Sequence, residues 1–303
     1  MKKVFSVSED YVDARVDRWF KKNVCDVPQS LIEKNIRRGN IKVNSKKIKS
    51  FHKLKVSDKI TVYNLNFIVN KHKKISTKYI ATKSDLYKSS GIFIENNENF
   101  VVINKPAGIA VQSGTKTRKN ILDILRCSKE FFNSSPYTVH RIDKDTTGLL
   151  IVAKNRKYAQ LFTSLFRIRK IHKTYLCIVI GQLQKEKGTL KDELFYYEGK
   201  KKVKTLAITH YKVLDSNNNY SLIKLNPETG RKHQLRKQLL IHGNPILGDS
   251  KYRISERPKN KKNILMLHAY KINFSIGDIK YNYTAEPPLT FTSILEEKYL
   301  KIF

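Results

Sequence analysis

The sequence predicts an α+β fold, with a large mixed, mainly antiparallel sheet flanked by helices and a small α+β module at the N terminus. Two observations support this prediction. Strand patterns outnumber helical ones after Gly91, and the helices fall between them irregularly, whereas a doubly wound sheet requires regular alternation. A chain of 303 residues also has room for one large and one small domain. We place the module at residues 1–70, a linker at 71–90 and the large domain at 91–303.

Two helices are predicted in the N-terminal module. Apolar residues at helical spacing between positions 16 and 20 indicate the first helix. In the second, which follows a break at Pro28, Ser30 and Glu33 stand at the spacing of a capping box, so we expect Ser30 to cap it. Gly39 should end this helix, because glycine readily adopts the left-handed conformation that follows a helix.

Short strands and a linker follow these helices. Ile41 and Val43 alternate with a lysine before a turn at Asn44 and Ser45, and residues 59–63 show a second strand pattern. Residues 70–90 are polar and basic with no sustained period, which is typical of a linker. Two helices and a few strands make a module that is too small to house an active site.

The large domain begins with strand patterns and a turn. Residues 105–108 have the composition of a tight turn, with proline at its second position. Residues 149–153 are uniformly apolar, which indicates a strand buried on both faces. Asn155 is placed to cap the next helix, whose apolar stripe should face the core. A strand over 173–180 and a helix over 231–243 are also predicted.

The chain carries a large excess of positive charge. Lys and Arg number 60 against 26 Asp and Glu, which gives a formal net charge of +34 at pH 7. Such an excess repels itself in the folded state and usually indicates an anionic partner. Nucleic acid fits best, since each phosphate contact by Lys or Arg releases counterions. A codon bias that inflates Lys everywhere is the alternative. The even spread of charge argues against binding at a membrane surface.

Cysteine usage and apolar runs indicate a cytoplasmic protein. The three cysteines, at positions 25, 127 and 177, lack the spacing of a zinc site or a disulfide framework, which is typical of a reducing compartment. The first ten residues lack the apolar stretch of a signal peptide, and the longest apolar runs have only the length of strands. The motifs GxGxxG, GxxxxGKS and HExxH are absent from the sequence.

The segment VHRIDKDTTGLLIVAK, residues 139–154, is the most informative for chemistry. If residues 139–143 are extended, Arg141 and Asp143 share one face, where the guanidinium would hold the carboxylate ionised. A purely structural Arg–Asp pair at a strand edge fits this spacing at least as well. His140 with Asp143 would suit a hydrolase, but no GxSxG-type nucleophile accompanies them.

This segment resembles the signature of the RluA-type family of pseudouridine synthases. Further family motifs follow in order: FVVINKPAG from Phe100, KTYLCIVIGQL around Tyr175, TGRKHQLR from Thr229, GNPILGDSKY from Gly243, and Leu267-His268-Ala269. The resemblance covers roughly residues 91–290. The match at 139–154 is long and ungapped, so it is far more specific than a three-residue motif.

The resemblance implies an enzyme that isomerises uridine in RNA without a cofactor or a metal. It assigns the glycosidic step to Asp143, as nucleophile or as base, and makes Arg236 the ion-pair partner that keeps Asp143 charged. Tyr175 would stack on the uracil or assist the proton shift at C5. Arg141 would fill the gap left by the flipped base. We expect His233 to be an ordinary core histidine.

The N-terminal module resembles an S4 domain, an RNA-binding fold, through RRGNIKVNSKKIK at 37–49. Its dense cations imply phosphate contacts, and the RNA-binding candidates are Arg37, Arg38, Lys42, Lys46 and Lys47. The chain is most similar to family members that modify large-subunit ribosomal RNA. We therefore expect a monomeric enzyme that acts on this RNA, free or in an assembling subunit. A synthase for transfer RNA and a non-catalytic RNA-binding or ribosome-assembly protein are the alternatives.

Overall fold

The chain forms two compact units, residues 1–77 and 78–303. The structure, a computed structural model, describes residues 2–63, 79, 81–82, 84–85, 91–113, 119–198, 201–254 and 264–302. Most of the predicted linker, 71–90, and the end of the predicted module, 64–70, lie outside the described residues. Within the described ranges, no helix is long and apolar enough to cross a membrane.

The first unit packs two helices on a three-stranded antiparallel sheet of order β1-β3-β2. Its described elements are β1 Lys2–Ser6, α1 Val16–Asn23, α2 Gln29–Arg37, β2 Ile41–Val43 and β3 Lys59–Tyr63. The predicted helical spacing is confirmed, because Val16, Trp19 and Phe20 on α1 are buried in the core of this unit.

One capping prediction in this unit is wrong. The helix α2 begins at Gln29 and has no side-chain cap, because Pro28 precedes it with a φ of −53° that suits a helix start. Ser30 therefore lies inside the first turn. The predicted ends are confirmed: Gly39 has a φ of +75°, and Asn44 and Ser45 form a turn with φ values of +48° and +65°.

The second unit is built on a ten-stranded sheet with the main order β4-β5-β7-β12-β8-β11-β10-β9, while β6 pairs with β7 and β13 with β12. Among the described strands, all pairings are antiparallel except β7 with β12, and helices flank the sheet, so the predicted α+β class is confirmed. The described elements are β4 Phe93–Asn96, β5 Phe100–Lys105, α3 Ile121–Arg126, β6 Tyr137–Thr138, β7 Thr147–Ala153, α4 Arg156–Arg167, β8 His172–Ile180, β9 Lys187–Glu198, β10 Lys201–Ser216, β11 Tyr220–Pro227, α5 Gln234–Ile241, β12 Leu267–Ile276, β13 Ile279–Thr284 and α6 Leu289–Glu297.

The helix α4 packs against the sheet directly after β7, which is buried along its whole length. The side chain of Asn155 caps this helix by accepting a hydrogen bond of 2.9 Å from the backbone N–H of Tyr158, as predicted. Phe162 on the apolar stripe meets Phe100 and Phe274 edge to face, with ring centroids 5.2 and 5.3 Å apart. These contacts pack α4 against β5 and β12, the two neighbours of β7 in the sheet.

The parallel contact between β7 and β12 leaves no room for a side chain at Gly148. This residue has a φ of +104°, and a Cβ atom there would lie 2.3 Å from the backbone oxygen of Ala269. Next to it, His268 Nε2 donates to the Ala285 carbonyl at 2.8 Å, so its Nδ1 accepts from the Thr147 hydroxyl at 2.8 Å. The start of β7 is therefore fixed on β12.

Candidate active site

A cavity of about 570 Å³ in the second unit brings together residues from distant parts of the chain. Asp143 lies on the loop before β7, Tyr175 on β8 and Arg236 on α5, and all three line this cavity. Asp143 and Arg236 are 93 residues apart in sequence, yet Arg236 Nη1 donates to Asp143 Oδ2 at 3.2 Å. The three residues that the sequence singles out for chemistry therefore share one site.

Residues 139–143 form a loop and not the strand that would place Arg141 beside Asp143. Arg141 is exposed and lines the cavity, with no ion pair to Asp143. The cation next to Asp143 is Arg236, so the same-face pairing of Arg141 with Asp143 is wrong. Ile142 between them is buried and anchors the loop in the core.

Arg236 is held in place by a second carboxylate, Asp249, which the sequence reasoning missed. Arg236 Nε and Nη2 donate to the two oxygens of Asp249, each at 2.7 Å, and the Asp249 side chain is fully buried. Backbone N–H groups of Lys251 and Tyr252 also donate to Asp249. This fork-shaped pairing fixes the guanidinium plane and leaves Nη1 for Asp143.

The contact between Arg236 and Asp249 keeps both side chains charged. Burial alone would lower the pKa of Arg236, but the hydrogen bonds and charges of Asp249 and Asp143 raise it. Burial likewise acts to raise the pKa of Asp249, yet the hydrogen bonds from Arg236 and two backbone amides lower it. Asp249 is thus an ionised, fully engaged carboxylate, whereas the side chain of Asp143 is 25% exposed to the cavity.

His233 lies in the site, which corrects its expected place as an ordinary core histidine. Its φ is +53°, and this left-handed residue forms the N-cap of α5. Its Nε2 is 3.7 Å from Asp143 Oδ1, and its Nδ1 is 2.9 Å from the Tyr252 hydroxyl. No spacing rule in the sequence indicates this position, because it depends on how the chain turns into α5.

Tyr175 is mostly buried on β8, where it pairs with Leu225 of β11 and Ala269 of β12. Burial, aided by the negative charge of Asp143, raises the pKa of its phenol. The hydroxyl therefore stays protonated at neutral pH, and the ring presents an apolar surface beside the carboxylate. A planar base and a proton-bearing group would both find a partner in this side chain.

Below the loop of Asp143 lies Lys105, which is fully buried. Its Nζ donates to the carbonyls of Pro106, Ile109 and Lys144 at 2.7, 3.0 and 3.0 Å. Burial lowers the pKa of this amine to about 7, although the charges of nearby aspartates act to raise it. Three acceptors match the three donors of an ammonium group, so Lys105 joins the turn at 105–108 to the loop that carries Asp143.

A buried polar network holds α5 beneath the site. Gln238 is fully buried, and its amide donates to Asp192 and to two backbone carbonyls while accepting from Thr209. One turn earlier, Gln234 donates to Thr209 and accepts from the Thr229 hydroxyl. Because each buried polar group has a partner, this network fixes the position of the helix that carries Arg236.

The RNA-binding candidates in the first unit are accessible to solvent. Arg37, Arg38, Lys46 and Lys47 are exposed, and Lys42 is half-buried with its Nζ 5.4 Å from the ring centroid of Tyr63. Within the described residues, none of these five cations forms an ion pair. They supply positive charge at and after the end of α2 and around the turn that follows β2.

Comparisons with known proteins show which family the chain belongs to. The sequence matches the RNA pseudouridylate synthase family over residues 99–240. A relative named ribosomal large subunit pseudouridine synthase C, from Buchnera aphidicola subsp. Schizaphis graminum, is 31% identical over 285 residues, covering 89% of this chain and 88% of that protein. A relative of the same name from Rickettsia conorii is 34% identical over 277 residues, covering 87% and 90%.

A solved structure of a human protein is also similar to this chain. The human protein RNA pseudouridylate synthase domain containing 4 superposes with a TM-score of 0.63 at 26% identity, covering 72% of this chain and 96% of that one. The two bacterial relatives are more than 30% identical over most of both chains. The chain therefore belongs to the RNA pseudouridylate synthase family.

Proposed function

We propose that this pseudouridine synthase isomerises uridines of large-subunit ribosomal RNA, with Asp143 as its catalytic carboxylate. The observation that carries the proposal is the ion pair of Asp143 with Arg236 at the wall of a cavity of about 570 Å³. A cavity of this volume is typical of sites for small molecules, and a flipped nucleotide is of that size. The names of the bacterial relatives support large-subunit RNA as the substrate.

The proposed reaction breaks the bond between N1 of uracil and C1′ of the ribose, turns the base and joins C5 to C1′. The proton at C5 leaves and N1 gains one, so nothing is lost overall. Asp143, paired with Arg236, acts at C1′ as a nucleophile or beside it as a base. Glycoside hydrolases use two free carboxylates for a related bond. Here both oxygens of the second carboxylate, Asp249, are bound by Arg236, which favours a mechanism with one working carboxylate.

The experiment that tests this proposal is a map of pseudouridines in ribosomal RNA from cells with and without the protein. We expect specific positions in large-subunit RNA to lose pseudouridine without it and to regain it when the wild-type chain is restored. Loss of pseudouridine from transfer RNA alone would show that transfer RNA, and not large-subunit RNA, is the substrate. An unchanged map in both RNA classes would favour the non-catalytic RNA-binding alternative.

Tyr175 is proposed to stack on the uracil, and two substitutions separate stacking from proton transfer. If the ring only stacks, Tyr175→Phe should keep most activity, while Tyr175→Leu should weaken the interaction with the base by about 1–3 kcal/mol. If the protonated hydroxyl takes part in the shift at C5, Tyr175→Phe should fail or accumulate an intermediate. Single-turnover rates decide between these outcomes, with Tyr220→Phe on β11 as a control outside the cavity. Full activity in both Tyr175 variants would remove this residue from the site.

We also propose that residues 1–70 are an S4-type module that docks RNA through its exposed cations. The protein would act in the cytoplasm as a monomer, on free RNA or on an assembling subunit. The support for docking is the group of five cations at Arg37, Arg38, Lys42, Lys46 and Lys47, without carboxylate partners in the described part of the chain. Cations of this kind contact phosphates and position a protein without reading many bases.

Neutralising four of these cations should flatten the salt dependence of RNA binding. Replacing Arg37, Arg38, Lys46 and Lys47 with Gln should reduce the slope of log K against log salt by up to about 0.9 for each phosphate that the variant no longer neutralises. The rate at saturating RNA should stay near wild type, because these residues lie outside the cavity.

The matched control replaces four other exposed lysines of the same unit, Lys2, Lys3, Lys53 and Lys55, with Gln. Equal slopes for the two quadruple variants would contradict a docking role for the predicted residues. Melting temperatures of both variants should match wild type, since all eight side chains are exposed.

A further inference from the structure

The wall of the cavity carries more positive charge than the proposed chemistry uses. Beyond Asp143, Tyr175 and Arg236, its lining includes five more cations: Arg141, Arg167, Arg169, Lys173 and Arg231. Besides Asp143, Glu228 is the only carboxylate among the described lining residues, and it is already engaged by Arg169 at 3.8 Å and by His210 at 2.5 Å. Positive charge therefore remains uncompensated in the wall of the cavity.

Lys173 is the member of this group that is hardest to explain as ordinary surface charge. It lies on β8 and is half-buried, and burial lowers the pKa of its amine with no carboxylate to oppose the effect. Its Nζ has no hydrogen-bond or ion-pair partner in the described part of the chain. A half-buried amine that lines the cavity and has no protein partner is placed to bind an anion that arrives with the substrate.

His140, the histidine near Lys173, is neutral and adds no charge to this part of the cavity. His140 Nε2 accepts a hydrogen bond of 2.9 Å from the backbone N–H of Ile151, which fixes the ring as its neutral Nδ1–H form. Burial, together with the charge of Lys173, lowers the pKa of His140 to about 3. The ring stacks on Phe166 with centroids 4.5 Å apart. The side chain beside Lys173 is therefore neutral and does not compensate its charge.

Lys173 and Tyr175 lie two positions apart on one strand, so their side chains leave the same face of the sheet. Their Cα atoms are separated by about 6.5 Å, the rise of two strand residues, which is within the span of one nucleotide from base to phosphate. We propose that Lys173 binds a phosphodiester that flanks the target uridine and so positions the sugar over Asp143. This inference rests on the proposed function, since it assumes that the base occupies the end of the cavity beside Tyr175.

This interaction is tested by removing the charge of one RNA phosphate and the charge of Lys173, singly and together. The probe is a synthetic large-subunit RNA hairpin that carries the mapped uridine, or, if none is mapped, the hairpin that the wild type binds most tightly. Two analogues replace the phosphate on the 5′ or the 3′ side of the uridine with a neutral methylphosphonate. Binding is measured for wild type, Lys173→Met, which keeps the apolar stem, and Lys170→Met, an exposed control outside the cavity.

One of the two analogues should bind wild type and Lys170→Met about tenfold more weakly than the natural hairpin, as expected for a charge-assisted hydrogen bond. Lys173→Met should bind the natural hairpin about tenfold more weakly and should show no further weakening with that analogue. Lys173→Met should raise KM and leave kcat largely unchanged, because the phosphate is bound before and during the reaction. Lys173→Arg, which keeps the charge, should retain the sensitivity to the analogue even if Lys173→Met folds poorly.

The proposal is overturned if neither analogue weakens wild-type binding, or if the same analogue weakens Lys173→Met as strongly as wild type. Pseudouridine formation is scored on the same hairpins. A wild type that shows the Lys173-dependent phosphate effect but forms no pseudouridine would overturn the proposed function and support the phosphate interaction. Pseudouridine formed without any phosphate effect would support the proposed function and overturn the phosphate interaction.

Discussion

Asp143→Asn should abolish pseudouridine formation, with a loss on the order of 10⁴-fold or more, as when an enzyme loses its nucleophile. Folding and RNA affinity should stay near wild type, because the amide keeps the size of the side chain and can still accept a hydrogen bond from Arg236. The chemistry depends on one carboxylate, whereas binding depends on many cations. Single-turnover pseudouridine formation and fluorescence anisotropy with labelled RNA measure the two quantities separately.

The matched control is Asp145→Asn, two residues further along the same loop. Asp145 does not line the cavity and forms no ion pair with a described residue, so this variant should keep wild-type activity. Substantial turnover by a pure Asp143→Asn preparation would refute the proposed mechanism. Equal losses in both variants would indicate that the loop, and not the carboxylate, was damaged.

Arg236→Ala should combine a severe loss of activity with a large loss of stability. The substitution leaves Asp249 buried without its fork-shaped partner and removes the charge beside Asp143. Breaking a buried ion pair of this kind costs about 3–5 kcal/mol of the free energy of unfolding. Urea unfolding and single-turnover kinetics should therefore both change, while Lys232→Ala, an exposed neighbour, should change neither.

Arg236→Lys separates charge from geometry. A lysine keeps one positive charge but cannot bind both oxygens of Asp249 and reach Asp143 at the same time. We expect a smaller loss of stability than for Arg236→Ala, together with most of the loss of activity. Wild-type turnover in Arg236→Lys would show that the fork-shaped pairing is not needed, and wild-type turnover in Arg236→Ala would identify another partner for Asp143.

Local patterns in the sequence predicted local structure well. The cap at Asn155, the turn at Asn44 and Ser45 and the helix end at Gly39 depend on a few neighbouring residues, and all are confirmed. The strand over 149–153 is buried along its whole length, as its uniformly apolar sequence predicted. Where a local rule failed, at Ser30, a second local rule at Pro28 outweighed it.

The site itself could not be assembled from spacing. Asp143 and Arg236 meet across 93 residues, and only the family resemblance connected them. Asp249 and His233 take part because the chain turns sharply around α5, a feature that no periodicity in the sequence encodes. Arg141, the arginine nearest in sequence, was the obvious partner for Asp143, but it is exposed and forms no ion pair with that carboxylate.

The order of strands in the large sheet has a consequence for how the protein is made. The strand β12, residues Leu267–Ile276, lies between β7, which follows the loop of Asp143, and β8, which carries Tyr175. Translation delivers this strand near the end of the 303-residue chain, after every residue named in the site. A nascent chain that has not yet reached residue 276 therefore has two sheet halves with no strand to join them. We therefore expect this nascent chain to be inactive, and we expect a premature stop before residue 267 to give an inactive protein that still contains Asp143, Tyr175 and Arg236.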